Sequence, residues 1–192
     1  MTKIKLQDAR LSFPHLFKAK AFDEGGVAKY QATFMLDSNN KRDLKQITAL
    51  KAAMDECGRE KWGKQWDAGK IKLKGTCLKA QDEELIAEKF VTATQGDDRE
   101  ESEGMYMVSS TEAKRPTVVD SDKTPLTDED GKPYAGCYVT GIITLWAQDN
   151  KFGKRINANL VGVQFKKDGE AFGEGSTSVE DDDWDDDDDM MD

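Results

Sequence analysis

No stretch of this sequence approaches the roughly 18–20 consecutive apolar residues of a membrane span, and the opening MTKIKLQDAR has no apolar centre of the secretory kind. A soluble, intracellular protein with no membrane partner is expected. Histidine is nearly absent: His15 stands alone, so Ser-His-Asp and Cys-His arrangements have almost nothing to be built from. Cys57, Cys77 and Cys137 are odd in number, widely spaced and free of any CxxC pair, which argues against a disulfide framework or a zinc knuckle and for small buried hydrophobes. No GxxxxGK[ST] phosphate loop occurs, and GEAFGEG lacks the strand before and the helix after that a dinucleotide fingerprint requires. The turn Asp128–Gly131 resembles a calcium loop, but Leu126 stands where an acid is needed and Cys137 where the twelfth ligand would be. The expectation is a protein that is not an enzyme, with no cofactor and no metal.

Basic residues are also missing from one region. After Lys167 there is no Lys or Arg, while 13 of the 38 acids fall from Asp168 onward. The formal charge of −10 therefore conceals a body of about +3 and a tail of about −13. The tail GEAFGEGSTSVEDDDWDDDDDMMD joins glycine and serine to an aspartate run, Asp181, Asp182, Asp183 and Asp185, Asp186, Asp187, Asp188, Asp189, with Trp184 set inside it. Like-charge repulsion leaves little to offset the entropy of ordering, so residues 168–192 are expected to be a disordered acidic tail on a domain spanning 1–167. A body able to hold a polyanion is joined to a segment that resembles one.

What is present reads as mainly β. Residues 3–13 and 29–36 alternate as strands around the turn-rich FDEGG, with Tyr30, Ala32, Phe34 and Leu36 on one face, which should be core. A helical insertion of about 38–66 follows, with Asn40 as N-cap, Leu44, Ile47, Leu50, Met54 and Cys57 at helical spacing, and Gly58 as the stop. Trp62 and Trp66 lie beyond it among lysines, and their four-residue spacing slightly favours packing. One or two strands should lie within 76–103, ending in the charged loop GDDREESEG, and further strands are expected at 104–110 and 115–119. The clearest pair, 136–148 and 154–166, forms a hairpin. Short strands, one inserted helix and long loops indicate an OB-like barrel with a helical insertion.

The first strand of that hairpin has two different faces. Cys137, Val139, Gly141, Ile143 and Leu145 suit a core, which sends Tyr138 and Trp146 outward. Outward aromatics serve as stacking platforms for unpaired bases, with cations holding the backbone. Lys151, Lys154 and Arg155 lie at the hairpin turn with Phe152 at its tip, Lys114 and Arg115 precede a neighbouring strand, and Tyr106 and Lys29 complete the candidate DNA-binding set. The alternative is that Tyr138 and Trp146 pack under the inserted helix or at a dimer interface.

The order of segments resembles the OB-fold single-stranded DNA-binding proteins of tailed bacteriophages. The resemblance is carried by ARLSFPHLFKAKAF and KYQATFMLD near the start and by GCYVTGIITLWAQDNKFGKRINANLVGVQFKKDGEAFG near the end, with the middle matching only loosely. It implies sequence-independent coating of single-stranded DNA in phage replication or recombination, in the cytoplasm of an infected bacterial host, and it leaves room for a homodimer. The tail is similar in kind to the acidic C-termini of such proteins, which compete with DNA for the groove and recruit replication or recombination proteins. Here, however, the chain ends in Met190, Met191 and Asp192, with Trp184 internal, where many such tails end in an aromatic or a Pro-Phe pair. The rival reading is an acidic interaction or DNA-mimic protein whose body has no DNA affinity of its own.

Overall fold

A computed structural model describes residues 2–96 and 98–173, so the aspartate run and Trp184 lie outside the described residues. In chain order the elements are β1 (Lys3–Lys20), β2 (Lys29–Asp37), α1 (Lys41–Trp62), α2 (Lys64–Asp67), β3 (Gly75–Thr76), β4 (Leu78–Ala80), α3 (Glu83–Ile86), β5 (Thr92–Ala93), β6 (Met105–Glu112), β7 (Thr117–Val119), β8 (Tyr138–Asn150) and β9 (Gly153–Lys167). β1 pairs antiparallel with both β2 and β8, β2 with β6, and β8 with β9. A parallel bridge, Thr111 to Asn159, joins β6 to β9 and closes the ring. This is the OB barrel, with α1 and α2 inserted between β2 and β3 and α3 between β4 and β5.

Period-two alternation sends Leu6, Leu11, Ala32, Phe34, Leu36, Val108, Val139, Ile143 and Leu160 into the barrel. The interior is tight around Phe34: a Cβ on Gly141 would come within 2.4 Å of its ring, so β8 needs a glycine at that point.

α1 starts where expected. The Asn40 side chain accepts from the N–H groups of Arg42 and Asp43. Two features of the helix differ from the sequence reading. Leu44 lies exposed, and the buried residue of the first turn is Asp43, whose carboxylate accepts the Asp37 N–H (2.9 Å) and the Arg42 guanidinium (3.1 Å). A charge there is held by donors and ties the helix start to the end of β2. The helix also runs through Gly58 and stops at Gly63, which sits at φ 51° and donates to the Arg59 carbonyl. Gly58 is needed for packing, since a Cβ there would come within 2.5 Å of the Trp66 indole. Trp62, Trp66 and Phe90 stack in series, with centroids 5.5 and 5.8 Å apart. Both indole N–H groups are satisfied, by Asp149 (2.8 Å) and Asp55 (3.0 Å).

At the other end of the barrel the chain after β9 folds back on its own body. Tyr134 Oη donates to Asp168 (2.8 Å), Arg10 Nη2 donates to the Glu170 carbonyl (2.8 Å), and the Arg10 guanidinium lies 4.4 Å from the Phe172 ring centroid. The first residues assigned to the tail, 168–172, are thus packed against the barrel. All three cysteines are unpaired, with Cys77 and Cys137 buried.

Candidate nucleic-acid interface

If one face of β2 and β6 fills the core, the alternate residues must face outward. Gln31 and Thr33 of β2 and Met107, Ser109 and Thr111 of β6 do so, and Lys79 of β4 extends the same surface. Two cavities lie along it, of about 310 and 400 Å³, and they share Lys79 and Ser109. Together they make one groove. β8 and β9 supply its second wall with Trp146, Gln148, Arg155 and Asn157, and Lys29 closes that end.

Aromatic rings enter from both ends. Trp146 is 38 % exposed in the groove wall. Phe13 is 39 % exposed at the opposite end. By parity with Leu11 it would point into the barrel, but the β1–β2 register shifts between Ser12 and His15, where Pro14 has no N–H to give the ladder. Phe13 sits in that irregularity at φ 48°, a conformation costly for a bulky residue, and its ring faces the groove. The Arg99 guanidinium lies 4.5 Å from the centroid of that ring. Arg99 is held by the Gln81 amide, which donates to the Arg99 carbonyl (2.9 Å) and accepts its N–H (3.1 Å). Phe22, from the loop between β1 and β2, completes the lining and meets His15 edge to face at 5.9 Å.

Charge in the groove is of one sign. Among the described residues Lys29, Lys79 and Arg155 have no carboxylate partner. Burial, and then the neighbouring Arg155 charge, hold the Lys79 ammonium below its usual pKa. Two cations forced together without a counter-charge form a site that an anion stabilises. The Arg155 guanidinium lies over Gly75, where a Cβ would come within 2.8 Å of Nη1 and displace it.

Of the sequence-predicted residues, the groove brings together Trp146, Arg155 and Lys29. Lys151 and Phe152 stand at the exposed tip of the β8–β9 hairpin, 5.0 Å from ammonium to ring centroid. Lys154 turns to the other side of that hairpin, onto Asp149 (2.6 Å) and the Trp62 face (5.8 Å). Lys114 and Arg115 follow the end of β6 outside both cavities, with Arg115 5.7 Å from the Phe17 centroid. Tyr138 lies eight positions along β8 from Trp146, about 26 Å at ~3.3 Å per residue. It packs there with Lys167 (4.7 Å) and Arg10 (5.8 Å). Tyr106 is a correction: it is 2 % exposed, faces the core, and donates its hydroxyl to Glu88 (2.8 Å), so it offers no ring to a base. Burial, then the Glu88 carboxylate, push that phenol up to about 12.

Sequence reasoning missed Phe13, Phe22, Lys79 and Arg99. Pro14 within a strand signals a broken ladder and could have revealed Phe13. Lys79 sits on a strand too short for periodicity, and Arg99 in a loop read as solvated charge.

The description "Enterobacter phage Enc34, ssDNA-binding protein" belongs to the family model that matches residues 2–191. Protein p50 of Acyrthosiphon pisum secondary endosymbiont phage 1 is 38 % identical over 181 residues, 93 % of this chain and 91 % of that protein. The single-stranded DNA-binding protein of bacteriophage Enc34 in complex with ssDNA superposes with a TM-score of 0.70 at 31 % identity, covering 89 % of each chain. A single-stranded DNA-binding protein encoded by bacteriophage T7 superposes with a TM-score of 0.55 at 14 % identity over 99 % of each chain, a likeness of fold.

Proposed function

The chain belongs to the family of the Enterobacter phage Enc34 ssDNA-binding protein, and from that premise we propose that it coats single-stranded DNA along the β2–β6 groove during phage replication or recombination. One observation carries the assignment of the groove: unpaired cations Lys29, Lys79 and Arg155 share a single cleft with the exposed rings of Trp146 and Phe13. Cations hold phosphates, and rings stack on bases of any sequence. No chemical step is part of this function. The protein acts in the cytoplasm of the infected bacterial host, and no helix among its described residues is long and apolar enough to cross a membrane.

The hairpin tip extends the interface: Lys151 and Phe152 are free to close over a bound strand. Lys114 and Arg115 contribute to the positive surface around it, whereas Lys154 is paired with Asp149 and Tyr138 lies far along β8, so neither belongs to the groove itself. The acidic tail competes with DNA for the groove and recruits replication or recombination proteins. It leaves the body beside Tyr138, yet the chain from 174 to 192 can extend on the order of 60 Å at ~3.3 Å per residue, enough to reach Trp146. The proposal includes a homodimer, which sedimentation of the full chain tests.

Titration of the full chain with poly-dT, followed by tryptophan fluorescence, tests the function. Saturable quenching is the expected result. A DNA-mimic protein would show no appreciable affinity in the full chain or in a chain ending at Gly173.

A further inference from the structure

The end of the groove between Phe13 and Arg99 is built differently from the rest. Thr33 is 4 % exposed and Ser102 6 % exposed, and both line this cavity of about 310 Å³. Among the described residues neither hydroxyl has a hydrogen-bond partner in the protein, which leaves both to water or to a ligand in the cavity. Nor is any buried side-chain nitrogen or oxygen there sealed from solvent without a partner, so both hydroxyls open onto the cavity. Gln31, beside them on β2, also leaves its amide uncommitted. The Gln81 amide is already spent on the Arg99 backbone, which makes that side of the cavity a fixed wall.

We propose that this cavity takes one unpaired nucleobase of the bound strand, held against the paired Phe13 ring and Arg99 guanidinium, with its edge read by Gln31, Thr33 and Ser102. This rests on the groove being the DNA site. It adds that the groove is not uniform: elsewhere stacking on Trp146 and pairing with Lys79 and Arg155 ignore base identity, whereas here hydrogen bonding to a base edge discriminates. The ligand part that enters is a base, because the wall is a ring and Gln31, Thr33 and Ser102 are neutral donor–acceptors, while Lys79, shared with the neighbouring cavity, is placed for the adjoining phosphate. The bulge at Pro14 gives Phe13 a purpose that justifies its left-handed backbone.

The test is binding of the full chain to dT, dC and dA oligomers of equal length. For the unmodified protein the best and worst should differ by at least about fivefold, the lower end of what a base-edge hydrogen-bond pair discriminates. Gln31→Ala and Thr33→Val, the second keeping the side-chain shape, should bring the oligomers within about twofold of one another by weakening the preferred one. Trp146→Ala should weaken all of them by a common factor and leave their ratio unchanged. Base readout is overturned if the unmodified chain binds all oligomers alike, or if Gln31→Ala and Thr33→Val leave the ratio as it was. In those cases Trp146→Ala would still weaken binding. If Trp146→Ala changes nothing either, the groove itself is the wrong site.

Discussion

Single side chains separate the groove from the barrel interior. Trp146 and Tyr106 are both aromatic residues on barrel strands, but one opens to the groove and the other is closed into the core against Glu88. Trp146→Ala should therefore weaken single-stranded DNA binding by about 1–3 kcal/mol with little change in stability. Tyr106→Phe should leave DNA affinity unchanged and lower stability by about 1 kcal/mol, the value of a buried hydrogen bond. Fluorescence titration and denaturant melts of the same two variants separate these effects. His15 makes a pH prediction. Burial, and then the Lys20 charge, hold its pKa below 6.5, so the fold favours neutral imidazole. That contribution is fully present above pH 6.5 and is lost as the pH falls through the lower folded value. His15→Asn should accordingly flatten part of the loss in Tm between pH 7 and pH 5, while carboxylate contributions remain. Burial also pushes the Cys77 thiol up to about 12 and the Cys137 thiol up to about 11. Neither should react with iodoacetamide in the native protein at pH 8, and both should react in urea.

At the scale of elements, α1 and the aromatic stack beneath it set two effects against each other at Gly58. Replacing a mid-helix glycine by alanine ordinarily stabilises a helix by about 1 kcal/mol. Here the added methyl would meet a ring that Phe90 and Trp62 hold on either side, so Gly58→Ala should lower Tm. A higher Tm would show that the stack yields. The same position shows why elements were unevenly legible in the sequence. A glycine that ends a helix and a glycine that admits an indole look alike until the partner ring is placed. The β2 alternation and the β8–β9 hairpin were readable because one face of each is core. β1 was readable only to Phe13, since Pro14 breaks the periodicity that marks a strand, and the break is what turns Phe13 into the groove. β3, β4 and β5, two or three residues each, exist through pairing with strands distant in sequence and carry no pattern of their own.

For the molecule as a whole, charge is divided between a body whose groove carries unpaired cations and a C-terminal segment that resembles a polyanion. Sequence revealed this division because charge can be counted without a fold. It assigned the lysines less well, since Lys79 sits on a three-residue strand with no periodicity and Lys154 turns away onto Asp149. The structure also moves the useful point of truncation: ending the chain at Lys167 would remove Asp168 and Phe172 from their contacts with Tyr134 and Arg10, whereas ending it at Gly173 keeps them. A chain ending at Gly173 should bind poly-dT more tightly than the full chain, most clearly at low salt. Weaker binding would contradict competition by the tail.

If the unpaired groove cations hold phosphates, the salt dependence of affinity reports it directly. For poly-dT binding between 50 and 200 mM salt, Lys79→Ala with Arg155→Ala should reduce the slope of log K against log salt by about 1.4, roughly 0.7 for each phosphate of a single strand that is no longer neutralised. A slope unchanged from that of the unmodified chain would mean that DNA lies elsewhere on the barrel.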